Sequence, residues 1–291
     1  MVETGRLDKR AVRRAFGRAA CAYDRYAVLQ REVGARLLQH LDPIRIEPRR
    51  MLDLGCGTGE RLADLRKRYP HAAMIAIDVA LPMLREARGR TPWWRRALGA
   101  SAPLLACADA ERLPLASSCA ELAFSNLMLQ WCDAPAAFAE AARVLRTGGL
   151  FLFSTFGPDT LRELRAAFAE SGGGEHVHAF VDMHDLGDAL VAAGFADPVM
   201  EMETLTLEYS TVDALAADLR GAGARNALSA RPRGLGGRER WRRMVERYEA
   251  RRRGAILPAT YEVVYGHAWK AAPRRTADGR AIVDFHPHRS P

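Results

Sequence analysis

Nine residues constrain this chain's fold more than any others. Met51-Leu52-Asp53-Leu54 is a short apolar run, and it leads directly into Gly55-Cys56-Gly57-Thr58-Gly59. Glycines let a backbone turn sharply and approach a ligand with no Cβ in the way. A helix after such a turn points its free N–H groups at the bend, and residues 60–68 carry a helical pattern. The strand–turn–helix unit is then repeated. Apolar strands are expected at 73–77, 104–108, 122–125 and 150–155, with helices at 82–88 and 135–145, the last stopped by Gly148-Gly149. Strands alternating with helices at this spacing make βαβ units and a parallel sheet. Near-continuous apolar strands mean that helices cover both faces.

Acids follow the strands at the positions a ligand needs. A dinucleotide-binding G-x-G-x-x-G turn uses the same backbone physics, but the spacing here is G-x-G-x-G and Asp53 precedes the first glycine. A carboxylate there repels a pyrophosphate and suits the ammonium of a methionyl group. That favours S-adenosylmethionine over a nicotinamide dinucleotide. Asp78 ends the second strand and can accept from ribose hydroxyls. Asp109 ends the third and can accept from an adenine amino group. Either alone also reads as a helix cap; the ordered set does not. The expected cofactor-binding residues are Asp53, Gly55, Cys56, Gly57 and Gly59 at the turn, and Asp78, Val79 and Met83 after the second strand. Asp109 and Ala110 follow the third, and Asn126 and Leu127 the fourth.

Flanking regions are read more coarsely. Residues 8–41 have helical periodicity and form an N-terminal arm within residues 1–47, closed by Asp42-Pro43. Helices are expected at 159–170, 185–193, 211–221 and 238–253, and alternating strands at 199–209 and 261–269. The segment 210–258 therefore interrupts two strands as a helical cap within a domain spanning 48–270. A tail, 271–291, is expected to be disordered, and 91–102 reads as an insertion.

Composition narrows the classes. No apolar run reaches the roughly 18–20 residues that span a membrane, and Met1–Arg14 lacks a signal-peptide core. Cys21, Cys56, Cys107, Cys119 and Cys132 form no C-x-x-C pair, which suits reduced thiols in a cytoplasm. His176, His178 and His184 match no standard metal spacing, so no metal is expected. The formal charge of +8 favours an anionic partner. The arginines are not interleaved with stacking aromatics, which argues against nucleic acid; GC-rich coding is the bland source of the same excess.

The order of motifs over residues 48–155 resembles class I methyltransferases, implying a Rossmann-like α/β sheet with helices on both faces. A second resemblance spans nearly the whole chain. Ala15-Phe16-Gly17-Arg18-Ala19-Ala20 with Tyr23, Ser125-Asn126-Leu127-Met128-Leu129-Gln130-Trp131-Cys132, Phe156-Gly157-Pro158-Asp159-Thr160-Leu161, Asp182-Met183-His184-Asp185, Arg220-Gly221-Ala222-Gly223-Ala224-Arg225-Asn226 and residues 257–266 carry it. Together they resemble the malonyl-acyl-carrier-protein O-methyltransferases of biotin synthesis. The resemblance implies methylation of a malonyl thioester's free carboxylate, with an acidic acyl carrier protein as partner. A carboxylate is already ionised near neutral pH, so no catalytic base is expected. Arg18 and Arg225 are candidates for holding it, since arginine is the best bidentate partner for a carboxylate, and Tyr23 is expected to line the pocket. The basic helix at 238–253 is a candidate docking face for the carrier.

Competing readings stay open at this point. Some of these segments also resemble a respiratory complex I assembly factor that hydroxylates an arginine. A methyltransferase for tRNA or a small molecule, a non-catalytic cofactor-binding scaffold and a dehydrogenase are further alternatives. The oligomeric state is open.

Overall fold

The computed structural model describes residues 7–90, 102–172, 180–224 and 237–272. The chain starts with three helices, α1 (Lys9–Ala19), α2 (Tyr23–Tyr26) and α3 (Val28–Gln39). Then come β1 (Arg50–Leu54), α4 (Leu62–Arg68), β2 (Ala73–Asp78), α5 (Leu81–Gly89) and β3 (Leu104–Cys107). They are followed by β4 (Ala120–Asn126), α6 (Ala134–Val144), β5 (Leu145–Phe156) and α7 (Arg162–Glu170). The rest comprises α8 (Met183–Ala192), β6 (Phe195–Tyr209), α9 (Val212–Gly221), α10 (Gly237–Glu249) and β7 (Leu257–Lys270).

The seven strands form one sheet in the order β3-β2-β1-β4-β5-β7-β6. The first five are parallel, and β7 inserts antiparallel between β5 and β6. The α/β expectation holds, with an antiparallel edge added to the parallel sheet. Tyr209 pairs with Leu257, so the helical segment between β6 and β7 leaves and rejoins the sheet at one point. Strand alternation divides the core: Leu150 and Leu152 of β5 pack on one face, Phe151 and Phe153 on the other. Leu37, Leu65, Leu164, Leu215 and Met244 of the helices cover the first face, and Phe138, Leu186 and Leu190 the second. This is the pattern of strands buried on both sides.

Several element boundaries differ from the sequence expectation. The arm expected as one helix over 8–41 is three, broken at Ala20–Ala22 and at Ala27. The break has a tertiary cause. Asp24 accepts from the Thr58 hydroxyl at 2.7 Å and pairs with Arg90, which fastens α2 over the glycine turn. Gly148-Gly149 does not end a helix: α6 stops at Val144 and β5 begins at Leu145. Ala120 pairs with Leu145 and Leu122 with Leu150, so the glycines sit in a bulge of the longer strand, Gly148 at φ 72°. Bulges need such backbone freedom. The helix expected from 159 begins at Arg162, because Leu161 turns left-handed at φ 54°. The basic helix ends at Glu249 rather than 253, and β6 and β7 each start four residues earlier than expected. The 91–102 insertion, save Ala102, and the tail beyond 272 lie outside the described residues.

Candidate active site

The glycine turn sits at the C-terminal edge of β1, where open α/β sheets bind ligands. Gly55 and Cys56 both donate to the Ile77 carbonyl, at 2.8 and 3.0 Å, which locks the turn onto β2. Gly57 has φ 54°, and a Cβ there would meet open space, so the missing side chain leaves room for a ligand. Gly59, at φ 77°, has a different role. A Cβ there would lie 2.9 Å from the Ala87 Cβ, so it serves the close packing of the turn on α5.

Asp78 closes β2 and is held by two backbone donors, Gly57 N at 2.9 Å and Ala80 N at 2.8 Å. Each carboxylate oxygen keeps a lone pair for a further donor. Burial raises the Asp78 carboxyl to about 6, against the lowering effect of those backbone bonds. Asp53, 3% exposed behind the turn, is raised to about 7 by burial and by the nearby Asp78 charge, against the lowering effect of Arg61. Two buried acids side by side favour a cationic ligand, which would relieve both.

These residues surround a cavity of about 660 Å³, counting the part open to solvent. Of the residues expected to bind a cofactor, Gly55, Gly57, Asp78, Val79, Met83, Asp109, Ala110, Asn126 and Leu127 line it. Asp53, Cys56 and Gly59 do not. Tyr23 lines the cavity too. Burial, then the Asp78, Glu60 and Asp24 charges, push its phenol upward, so it stays protonated. Cys132, also in the wall, is pushed up to about 12 by burial and remains a thiol.

The N-terminal arm forms one wall that sequence reasoning only partly anticipated. Val12 and Phe16 of α1 line the cavity, and Phe16 packs edge-on against Trp131 at 5.2 Å between ring centres. Lys9 reaches across to Asp109 at 3.1 Å and to Glu111 at 2.5 Å. Nothing local announces that contact, since a hundred positions separate Lys9 from Asp109. Asp109, Glu111 and Cys132 could together face a cation, and the Lys9 ammonium already supplies the positive charge there. Arg18 is exposed and lines none of the cavities described here. With 3.6 residues per turn, the helix that buries Val12 and Ala19 turns Arg18 outward. Arg18 is thus not brought to either chamber. Arg225 lies outside the described residues.

A second chamber, of about 850 Å³ including its open mouth, adjoins the first. Trp131 borders both. Its walls come from α2 and α3 (Tyr26, Leu29, Gln30), β5 and β7 (Phe156, Tyr261) and α9 (Asp218, Leu219). Ala224, the residue before Arg225, lines it as well. Among the described lining residues there is no lysine or arginine. The sequence signal for this chamber was indirect: the resemblance segments around Trp131, Phe156, Ala224 and Tyr261 converge on it, although they are far apart along the chain.

Comparison with known proteins agrees with this geometry. A family model described as a methyltransferase domain matches residues 52–153. The chain is 51% identical over 278 residues to a malonyl-[acyl-carrier protein] O-methyltransferase of Gallionella capsiferriformans, covering 95% of this chain and 96% of that one. It is 53% identical over 294 residues to the protein of the same name from Laribacter hongkongensis, covering 99% of each. Its fold is similar to that of a SAM-dependent methyltransferase from Thermotoga maritima, with a TM-score of 0.53 at 18% identity, over 89% of this chain and 99% of the other.

Proposed function

The chain belongs to the malonyl-[acyl-carrier protein] O-methyltransferase family, and from that premise we propose how its residues carry out the transfer of a methyl group from S-adenosylmethionine to the free carboxylate of a carrier-bound malonyl group. The observation that carries the acceptor assignment is identity above 50% along almost the entire chain. It also sets aside the arginine-hydroxylase and dehydrogenase readings. The product is the malonyl methyl ester that the family supplies to biotin synthesis.

The cavity at the glycine turn fits S-adenosylmethionine. Gly57 leaves space at the turn, Asp78 keeps acceptor capacity for ribose hydroxyls, and Asp53 and Asp78 together complement a cation. Asp109, Ala110, Asn126 and Leu127 line the same cavity, and in this reading the first two receive the adenine and the last two the methionyl end. When bound, the cofactor supplies an electrophilic methyl group. The adjoining apolar chamber receives the acceptor.

No residue has to move a proton. A malonate carboxylate has a pKa of about 4 and arrives ionised. The side chains in reach agree: Tyr23 and Cys132 are both held in their protonated forms. Catalysis then comes from positioning and from stripping water off the carboxylate. Phe16, Trp131, Phe156 and Leu161 supply the dry walls.

The carrier is read as acidic and docks on exposed arginines. Arg238, Arg247 and Arg253 on and after α10 are exposed and have no ion pair among the described residues, whereas Arg242, Arg251 and Arg252 are paired with Glu239, Glu170 and Glu249. Nucleic acid and membrane are not expected partners. No described helix is long and apolar enough to cross a membrane, and all five cysteines are unpaired, which supports a cytoplasmic location. The test combines the purified protein, methyl-labelled S-adenosylmethionine and malonyl-acyl carrier protein. A mass gain of one methylene unit on the malonyl group is expected. No gain, with cofactor binding intact, would overturn the acceptor assignment.

A further inference from the structure

The backbone just past β4 is held in a conformation that its residue does not favour. Leu127 has φ 49°. A residue with a Cβ resists that left-handed region. One kept there is held by its surroundings, and such positions cluster at functional sites. Leu127 is buried, and with Asn126 and Met128 it lines the cofactor cavity.

Side chains grip both backbone polar groups of Leu127. Its N–H donates to the Ser154 hydroxyl at 3.0 Å and to the Ser154 carbonyl at 3.1 Å. The same hydroxyl donates to Asn126 Oδ1 at 2.8 Å, and Asn126 Nδ2 donates to the Gln30 carbonyl at 2.9 Å. The Leu127 carbonyl accepts from Gln130 Nε2 at 2.7 Å, and Gln130 Oε1 accepts from the Thr155 hydroxyl at 3.3 Å. Gln130 itself lines the second chamber, so a residue of the acceptor side holds backbone of the cofactor side. The clamped segment also bears on the glycine turn: a Cβ on Gly55 would lie 2.3 Å from Met128 Cγ.

We infer that Gln130 is a positioning residue for the methyl donor: with Ser154 it clamps the Leu127 backbone against the amino-acid end of S-adenosylmethionine. This rests on the reading above, in which Asn126 and Leu127 receive the methionyl end. The reacting methyl sits on the sulfur between the adenosine and amino-acid halves, so holding the adenosine half alone leaves its direction free. A fixed backbone at the other half aims the methyl at an acceptor, and alignment is a main resource of a transfer that needs no base. A carboxamide suits the clamp because it donates and accepts at once. Its N–H sets Leu127 while its oxygen is fixed by Thr155. A glutamate carboxylate keeps the shape but has no N–H for the Leu127 carbonyl.

The test uses full-length protein carrying Gln130→Leu, Gln130→Glu or Ser154→Ala, with thermal midpoints to identify the folded variants. Gln130→Glu gives a second reading should Gln130→Leu fold poorly, and Ser154→Ala loosens the clamp from its other end. Two ligands are titrated by calorimetry. S-adenosylhomocysteine carries the amino-acid end, and methylthioadenosine keeps the adenosine and the sulfur without it. We expect S-adenosylhomocysteine affinity to fall about fivefold or more, with methylthioadenosine affinity within about twofold of wild type. Turnover of malonyl-acyl carrier protein should lose about tenfold or more in kcat. General loosening of the fold would weaken both ligands alike. Equal losses for the two ligands, or wild-type affinities in folded variants, overturn the role of Gln130 and leave the cofactor site standing. Failure of the wild type to bind S-adenosylhomocysteine overturns the cofactor reading, and this inference with it.

Discussion

At the residue scale, the site depends on two buried carboxyls whose proton affinity is raised. Asp53 at about 7 and Asp78 at about 6 both lie above the ordinary aspartate value near 3.9. The ligand-free folded protein therefore holds protons that the unfolded chain has released between roughly pH 4 and 7. Stability consequently falls as pH rises through that window and levels off above it. A cationic ligand favours the ionised carboxylates, so S-adenosylmethionine binding should release protons near pH 6–7. Its affinity should rise with pH by up to about tenfold per unit for each proton released. Calorimetry in buffers of different ionisation enthalpy checks this; proton uptake on binding would contradict it. Asp78→Ala should weaken cofactor binding by about 1–3 kcal/mol, the usual cost of a lost charge-assisted bond. Unchanged calorimetric affinity would remove Asp78 from the site.

At the element scale, α1 works as a wall of the cofactor cavity that is fastened at both ends. Lys9 ties its start to the segment after β3, and Asp24 in α2 ties the other end to the glycine turn through Thr58. The Lys9 pair is only partly exposed, at 27% for each side chain, so it is worth more than a surface ion pair but is still screened. Lys9→Ala should accelerate cofactor release by roughly 3- to 10-fold and expose the arm to protease. Stopped-flow dissociation of the bound cofactor product measures the first effect and limited proteolysis the second. Wild-type rates in both would mean that aromatic packing of Phe16 on Trp131 alone seats the helix.

At the scale of the whole molecule, the formal net charge is +8, and the proposed docking of an acidic carrier on α10 is open to test. Opposite fields raise encounter rates more than they strengthen the final contact. Reversing Arg238 and Arg247 together should raise KM for the carrier-bound malonyl group about fivefold or more at low ionic strength. Free malonyl-CoA should be less affected, and the difference should shrink with added salt as screening sets in. Equal losses on both substrates would move the carrier interface away from α10.

The strand–glycine–helix turn and the acids after β2 and β3 were legible because their signals are local. A glycine's freedom at positive φ, an apolar run and an acid at a strand end are properties of a few consecutive residues. Nine of the twelve expected cofactor residues line the cavity for that reason. Helical period was legible in the arm, where residues 8–41 were read as helix. The three-part arm was not: its breaks follow from Asp24 bonding to Thr58, thirty-four positions away. Nor was the bulge at Gly148-Gly149, where the same glycines that signal a helix end serve an uneven pairing of β4 with β5. The Lys9 tie and the chamber behind Trp131 belong to the same class. The sequence by itself determined the α/β alternation, the ligand-binding edge and the cofactor type, because each is encoded in neighbouring residues. Only the tertiary structure decided where β7 enters the sheet and which side chains enclose the second chamber, because those depend on contacts between segments whose separation along the chain carries no trace of their separation in space.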